Sequence, residues 1–207
     1  MAFTCEGLGC VRGERWVFDG VDFALAPGAA LVLEGPNGSG KSSLLRLAAL
    51  LLKPAAGRLI WDGRDIAEDA DAHRARLVYI GHLDALKPAF TVTENLAFWA
   101  QLVGAESGAT DAALERIGLD HLADLPARFL SAGQRRRLNL ARLLTRPVPL
   151  WLLDEPTTSL DSASIKTLAE IATEHRAQGG IVLAATHVDL ALTDAATLRL
   201  GRVRATA

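Results

Sequence analysis

The sequence predicts an α/β fold: a mostly parallel sheet core, an N-terminal antiparallel β-subdomain and an inserted helical subdomain. Three observations carry that expectation. Residues 29–34, 150–153 and 181–185 are short apolar runs without polar alternation, the pattern of strands covered on both faces. Helical segments follow the first two, and strand–helix–strand alternation builds parallel sheets. From about residue 93 to 146 the spacing turns helical, with almost no strand signal.

The elements follow in order. Residues 3–33 alternate apolar runs with the breaks Gly7-Leu8-Gly9, Arg12-Gly13 and Ala26-Pro27-Gly28, leaving strands near 3–5, 16–18, 21–24 and 29–34. A helix is expected over 42–52, stopped by Pro54 and Gly57. Strands at 59–61 and 77–80 come next, then helices at 93–103, 111–117 and 132–145. The strand at 150–153, a helix over 162–178, the break Gly179-Gly180 and the strand at 181–185 complete the reading. All 207 residues read as one domain, with core and β-subdomain at about 1–82 and 147–207 and the helical subdomain at about 83–146.

Bulk properties narrow the function. Half the residues are hydrophobic, enough for a large core, and the net charge is -2. The longest basic run, Arg135-Arg136-Arg137, is too short for a nucleic-acid footprint and reads as a solvated helix face or partner contact. The two cysteines, Cys5 and Cys10, make no CxxC pair and no disulfide framework, which suits a cytosolic chain. The N-terminus lacks a signal pattern. The richest apolar stretch, 44–52, is broken by Arg46 and falls short of the about 20 residues a bilayer span needs. Any membrane role is therefore expected to run through a partner.

The chemistry lies at the strand ends. Gly35-Pro36-Asn37-Gly38-Ser39-Gly40-Lys41-Ser42-Ser43 follows a strand and opens a helix, the context that gives a phosphate-binding loop its meaning. Its backbone N–H groups and the helix N-terminus converge on phosphate, Lys41 is placed for β- and γ-oxygens, and the Ser42 hydroxyl for Mg²⁺. The chain is thereby expected to be a P-loop NTPase with a RecA-like core. Asp154 and Glu155 end a buried strand at the edge where such sheets bind ligands. Asp154 is expected to hold Mg²⁺. Glu155, next along and pointing elsewhere, is the candidate to orient or deprotonate the attacking water.

Leu130-Ser131-Ala132-Gly133-Gln134 resembles the signature motif of ABC ATPases, usually Leu-Ser-Gly-Gly-Gln. Ser159-Leu160-Asp161 is similar to the family's D-loop, His187 to its switch histidine, and Thr91-Val92 with Glu94-Asn95-Leu96 to the stretch after its Q-loop. The resemblance covers nearly the whole chain and implies the ABC ATPase fold, hydrolysis of ATP with Mg²⁺, and a homodimer packed head-to-tail around two ATP. In it Ser131 and Gly133 of one copy grip the γ-phosphate held by the other.

Three departures stand out. Ala132 replaces a glycine. His82 stands where a glutamine is expected, and imidazole titrates near pH 6.5, so hydrolysis is expected to fall more steeply on acidification. Val11 and Arg12 lie near the place of the usual adenine-stacking aromatic; Trp16 is an aromatic candidate, and strand packing is the role favoured for it. The loop from Gly81 to Pro88, the run Asn95-Leu96-Ala97-Phe98-Trp99 and the signature with its arginines are similar to the haem exporter ATP-binding subunits of bacterial cytochrome c maturation. That resemblance implies integral membrane permease partners. They would dock against the surface around His82 to Pro88 and the helical insert, at the cytoplasmic side of the bacterial inner membrane. No haem-ligating motif is seen, and His121 reads as a surface residue. The rival readings are an ATPase of a different ABC exporter or importer, and a soluble ABC ATPase of DNA repair or translation.

Overall fold

The computed structural model describes residues 1–106, 108–188, 190 and 192–201, and two sheets organise them. The first is antiparallel, in the order β2-β1-β4-β5: β1 (Phe3–Arg12), β2 (Arg15–Leu25), β4 (Ala56–Trp61) and β5 (Arg64–Asp65). The second has the order β6-β7-β8-β3-β9: β3 (Ala30–Glu34), β6 (Leu77–Ile80), β7 (Leu150–Asp154), β8 (Ile181–Ala185) and β9 (Ala196–Arg199). Every strand pair in it is parallel.

Helix α1 (Lys41–Ala48) lies between the two sheets. Its Leu44, Leu45 and Leu47 are fully buried with Phe3, Leu8, Leu33, Leu150 and Leu183. Each such side chain contributes about 1.5–3 kcal/mol. The opposite face of the parallel sheet is covered by α6 (Ser162–Ala177) and the 3₁₀ turn Ala141–Leu143. A third apolar cluster sits within the helical segment and joins α3 (Val92–Leu102), α4 (Ala109–Arg116) and α5 (Ala132–Leu140). Across 83–146 the described residues form helices and turns, with one isolated bridge between Thr91 and Pro126.

The structure departs from the sequence expectations where glycine misleads. The Gly7-Leu8-Gly9 break is no turn. β1 runs through it with register shifts, Gly7 adopting φ 56°. The two strands expected at 16–18 and 21–24 are one, β2, passing through Gly20 at φ 65°. α1 ends at Ala48 rather than 52, because Leu50 turns left-handed (φ 54°) and the Leu51 and Leu52 N–H groups fold back onto the Arg46 carbonyl. The helix expected over 132–145 is α5 followed by a 3₁₀ turn, so the signature opens a nine-residue helix. β5, β9 and the short helix α2 (Ala70–Ala75) were not read from sequence.

Candidate active site

β3 delivers the glycine loop between the sheets. Gly40, the N-cap of α1, sits at φ 103°, and a Cβ there would come within 2.6 Å of Phe18 and 2.7 Å of Val17. β2 thus presses on the loop at a point where no side chain fits. Ser39 is 1% exposed, and its hydroxyl has no partner among the described residues. A buried polar atom left so is costly unless a polar ligand reaches it. The Lys41 ammonium is buried and donates to the Gly35 carbonyl at 2.7 Å. Pro36, Asn37 and Gly38 lie exposed at the mouth. Ser43 reaches the Cys10 thiol, whose pKa burial raises and the Ser43 hydroxyl partly lowers.

The two carboxylates after β7 diverge. Asp154 is 1% exposed, and its Oδ1 accepts a hydrogen bond from Ser42 Oγ at 2.9 Å. Hydroxyl and carboxylate are the hard oxygen donors that Mg²⁺ prefers, and they meet at the foot of the phosphate loop. Glu155 is left-handed (φ 48°), and its N–H donates to the Ala185 carbonyl at 2.8 Å. Its Oε1 lies 3.4 Å from His187 Nε2. His187 is aimed by a tight turn in which buried Thr186 Oγ1 accepts from the Val188 N–H at 3.0 Å and donates to its carbonyl at 3.1 Å. The geometry therefore yields two pairs, Ser42 with Asp154 and Glu155 with His187.

Residues 130–134 build a different kind of end. Leu130 is buried in the helical cluster, while Ser131 caps α5 in a reciprocal box with Gln134. Ser131 Oγ accepts from the Gln134 N–H at 3.2 Å, and Gln134 Oε1 accepts from the Ser131 N–H at 2.8 Å. Ser131 and Ala132 are exposed. Gly133 packs on the next loop: a Cβ there would approach the Ser159 carbonyl to 2.8 Å. Ser159 is left-handed (φ 65°) and Leu160 half-buried beside the second apolar cluster. Asp161 caps α6, its Oδ1 accepting from the Ser164 N–H at 2.8 Å, and those hydrogen bonds lower its pKa.

Two site residues escaped the sequence reading. Tyr79 on β6 points its hydroxyl at Asp154 Oδ2, 3.4 Å away; burial raises the phenol's pKa, and the Asp154 charge adds to it. Arg136 corrects the reading of the basic run as a solvated face or partner contact: it is 2% exposed and bonded to the carbonyls of Asp154, Glu155 and Pro156. The signal was its spacing, since Gly133, Arg136 and Leu140 share one helical face. His82 is exposed and joins no hydrogen bond among the described residues, so the geometry does not bring it to either carboxylate.

The ABC transporter family model matches residues 18–158. The chain is 59% identical over 198 residues to the cytochrome c biogenesis ATP-binding export protein CcmA of Rhodospirillum rubrum, covering 96% of this chain and 85% of that protein. It is 57% identical over 202 residues to the protein of the same description from Paramagnetospirillum magneticum, covering 96% and 93%. Among solved structures, the ATP-binding subunit of an ABC transporter superimposes with a TM-score of 0.86 at 23% identity, over 97% of this chain and 86% of that one. A bacterial Atm1-family ABC exporter with ATP bound gives a TM-score of 0.83 at 25% identity, over 97% of this chain and 37% of that one.

Proposed function

The chain belongs to the ABC transporter family and is an ATP-binding, ATP-hydrolysing subunit of it, and from that premise we propose that it powers a haem-export step of cytochrome c biogenesis. Identity of 59% and 57% across nearly the whole chain to two CcmA proteins carries this assignment and disfavours the other transporters and the DNA-repair class. Among the described residues no helix is long and apolar enough to cross a membrane. We assign it a permease partner in the bacterial inner membrane, met from the cytoplasmic side, with residues 82–88 and the helical segment at about 83–146 as the docking face.

Two copies are proposed to close head-to-tail around two ATP. The loop from Gly35 to Ser43 wraps the phosphates with backbone N–H groups and the N-terminus of α1. Ser42 and Asp154 would hold Mg²⁺, which when bound would offset charge on the phosphoryl oxygens. Lys41 leaves the Gly35 carbonyl to reach those oxygens. Glu155 orients the attacking water or accepts its proton, and His187, 3.4 Å away, fixes that carboxylate and reaches toward the γ-phosphate. Ser131 and Gly133 of the second copy complete the donor cage for transition-state charge. Ser131 suits this task because its oxygen is engaged by Gln134, which leaves its O–H to donate outward.

The test of the cellular role is replacement of the native gene by Lys41→Ala. Cells should lose haem attachment to c-type cytochromes and keep b-type cytochromes. Normal c-type cytochromes in that strain would overturn the assignment.

A further inference from the structure

We propose that Arg136 is a positioning residue for Glu155: its guanidinium locks the backbone of the carboxylate turn to the loop after β6, so that loop and α5 together set where the Glu155 side chain points. The proposal rests on the assignment of Glu155 above, and the experiment below separates the two.

The guanidinium is buried and nearly every donor is spent. Nη2 donates to the Asp154 carbonyl at 3.0 Å and the Glu155 carbonyl at 2.7 Å, and Nε to the Pro156 carbonyl at 3.1 Å. Nη1 donates to the Gly81 carbonyl at 2.9 Å and approaches Asp84 Oδ1 at 3.4 Å. Three consecutive carbonyls of one turn therefore converge on a single planar cation. That turn contains Glu155 in a left-handed conformation, φ 48°, which a non-glycine residue keeps only where surrounding contacts hold it. Arg136 supplies the contact from one side and the Ala185 carbonyl, bonded to the Glu155 N–H, from the other.

Charge accounts for the second partner. A guanidinium taken out of water needs compensation. Burial lowers the pKa of Arg136, and Asp84, three residues past Gly81, opposes that. The acid that neutralises the arginine thus sits in the segment carrying His82. Arg136 lies five residues after Ser131 on the same helix, about 7.5 Å along its axis. One side chain joins the signature helix, the loop after β6 and the turn that bears the water-orienting carboxylate. Lysine could not substitute, because a point charge on a flexible stem cannot reach carbonyls fanned around a plane.

The test uses the chain as purified from its own cells with the membrane proteins that accompany it. Arg136→Gln should lower kcat by about tenfold or more while the KM for ATP stays within about threefold, since the phosphate loop is untouched. Amide exchange of residues 154–158 should rise. Arg136→Lys should recover little of the rate. Asp84→Asn should lower kcat about threefold at constant KM, and it stands as the deciding variant if Arg136→Gln does not fold. Added to Glu155→Gln, Arg136→Gln should cost less than about twofold more, because both act through one group. An unchanged kcat in the folded variant, or a further tenfold loss on the Glu155→Gln background, would overturn the proposal. If Glu155→Gln alone keeps full activity, the assignment of Glu155 fails instead.

Discussion

Two helices of this chain begin at a loop suited to an anion, and they begin differently. At α1 the walls are finished inside one chain: β2 presses on Gly40, Ser39 is buried, Lys41 is held by the Gly35 carbonyl, and Asp154 closes the floor onto Ser42. At α5 the helix is capped only by itself. Ser131 and Gln134 satisfy each other, and Ser131 and Ala132 face outward. A glycine loop enclosed by its own fold can bind triphosphate alone. A capped helix end that faces away from its own core fits a ligand brought by another molecule. The contrast supports the proposal that one polypeptide carries two half-sites.

The comparison can be broken by experiment, beginning with its enclosed half. Lys41→Ala removes the one cation of the phosphate loop, so hydrolysis should fall by roughly 10²-fold or more, and binding of a fluorescent ATP analogue should weaken with it. If binding and hydrolysis both persist, Lys41 is not the phosphate lysine. The outward half should behave otherwise. Gly133→Ala drives a Cβ toward the Ser159 carbonyl, 2.8 Å away, so α5 and the D-loop must separate. Hydrolysis should fall about tenfold through that misplacement, while analogue binding to the single chain should not change. Equal losses in both measurements would erase the distinction between the halves.

Acid separates the regions by stability. His175 on α6 stacks on Trp151 at 3.8 Å and 5°, and burial brings its pKa from 6.5 down to about 4. The folded state resists protonation that the unfolded chain accepts. Stability is therefore complete above pH 6.5 and lost as pH falls toward 4, by at most about 3 kcal/mol. Buried His73, its pKa also lowered by burial, acts in the same direction. Denaturant melts at pH 7 and pH 4.5 should show the loss, and His175→Phe should reduce it. An equal loss in that variant would place the acid sensitivity elsewhere. The smallest effect concerns His82, exposed on the loop after β6. His82→Gln should change kcat by less than about twofold, and a tenfold loss would place the imidazole in the chemistry.

What the sequence made legible follows burial. β8 has the ends expected for it, because an apolar run buried at every position leaves little ambiguity; β6, at the sheet edge with every second residue half-buried, also keeps its expected ends. β9 was invisible: it is an edge strand of mostly exposed residues, held by pairing to β3 rather than by an apolar pattern. β1 was cut short at Gly7 and β2 was read as two strands either side of Gly20, while here both glycines lie at irregularities within long strands. At the site, the placement of the glycine loop, Asp154 and Glu155 at strand ends was readable from their spacing. Arg136 was not. Charge argues for solvent, and only the tertiary fold reveals four carbonyls waiting for a buried cation.

Site-specific cross-linking asks most directly whether the half-sites of two copies meet. One preparation carries Glu155→Gln with Asn37→Cys, the other Glu155→Gln with Ser131→Cys; native Cys5 and Cys10 are buried. Mixed and mildly oxidised with saturating MgATP, they should form a disulfide-linked heterodimer, and without nucleotide they should not. Chains that remain monomeric at saturating MgATP, with the analogue still bound, would contradict the shared site.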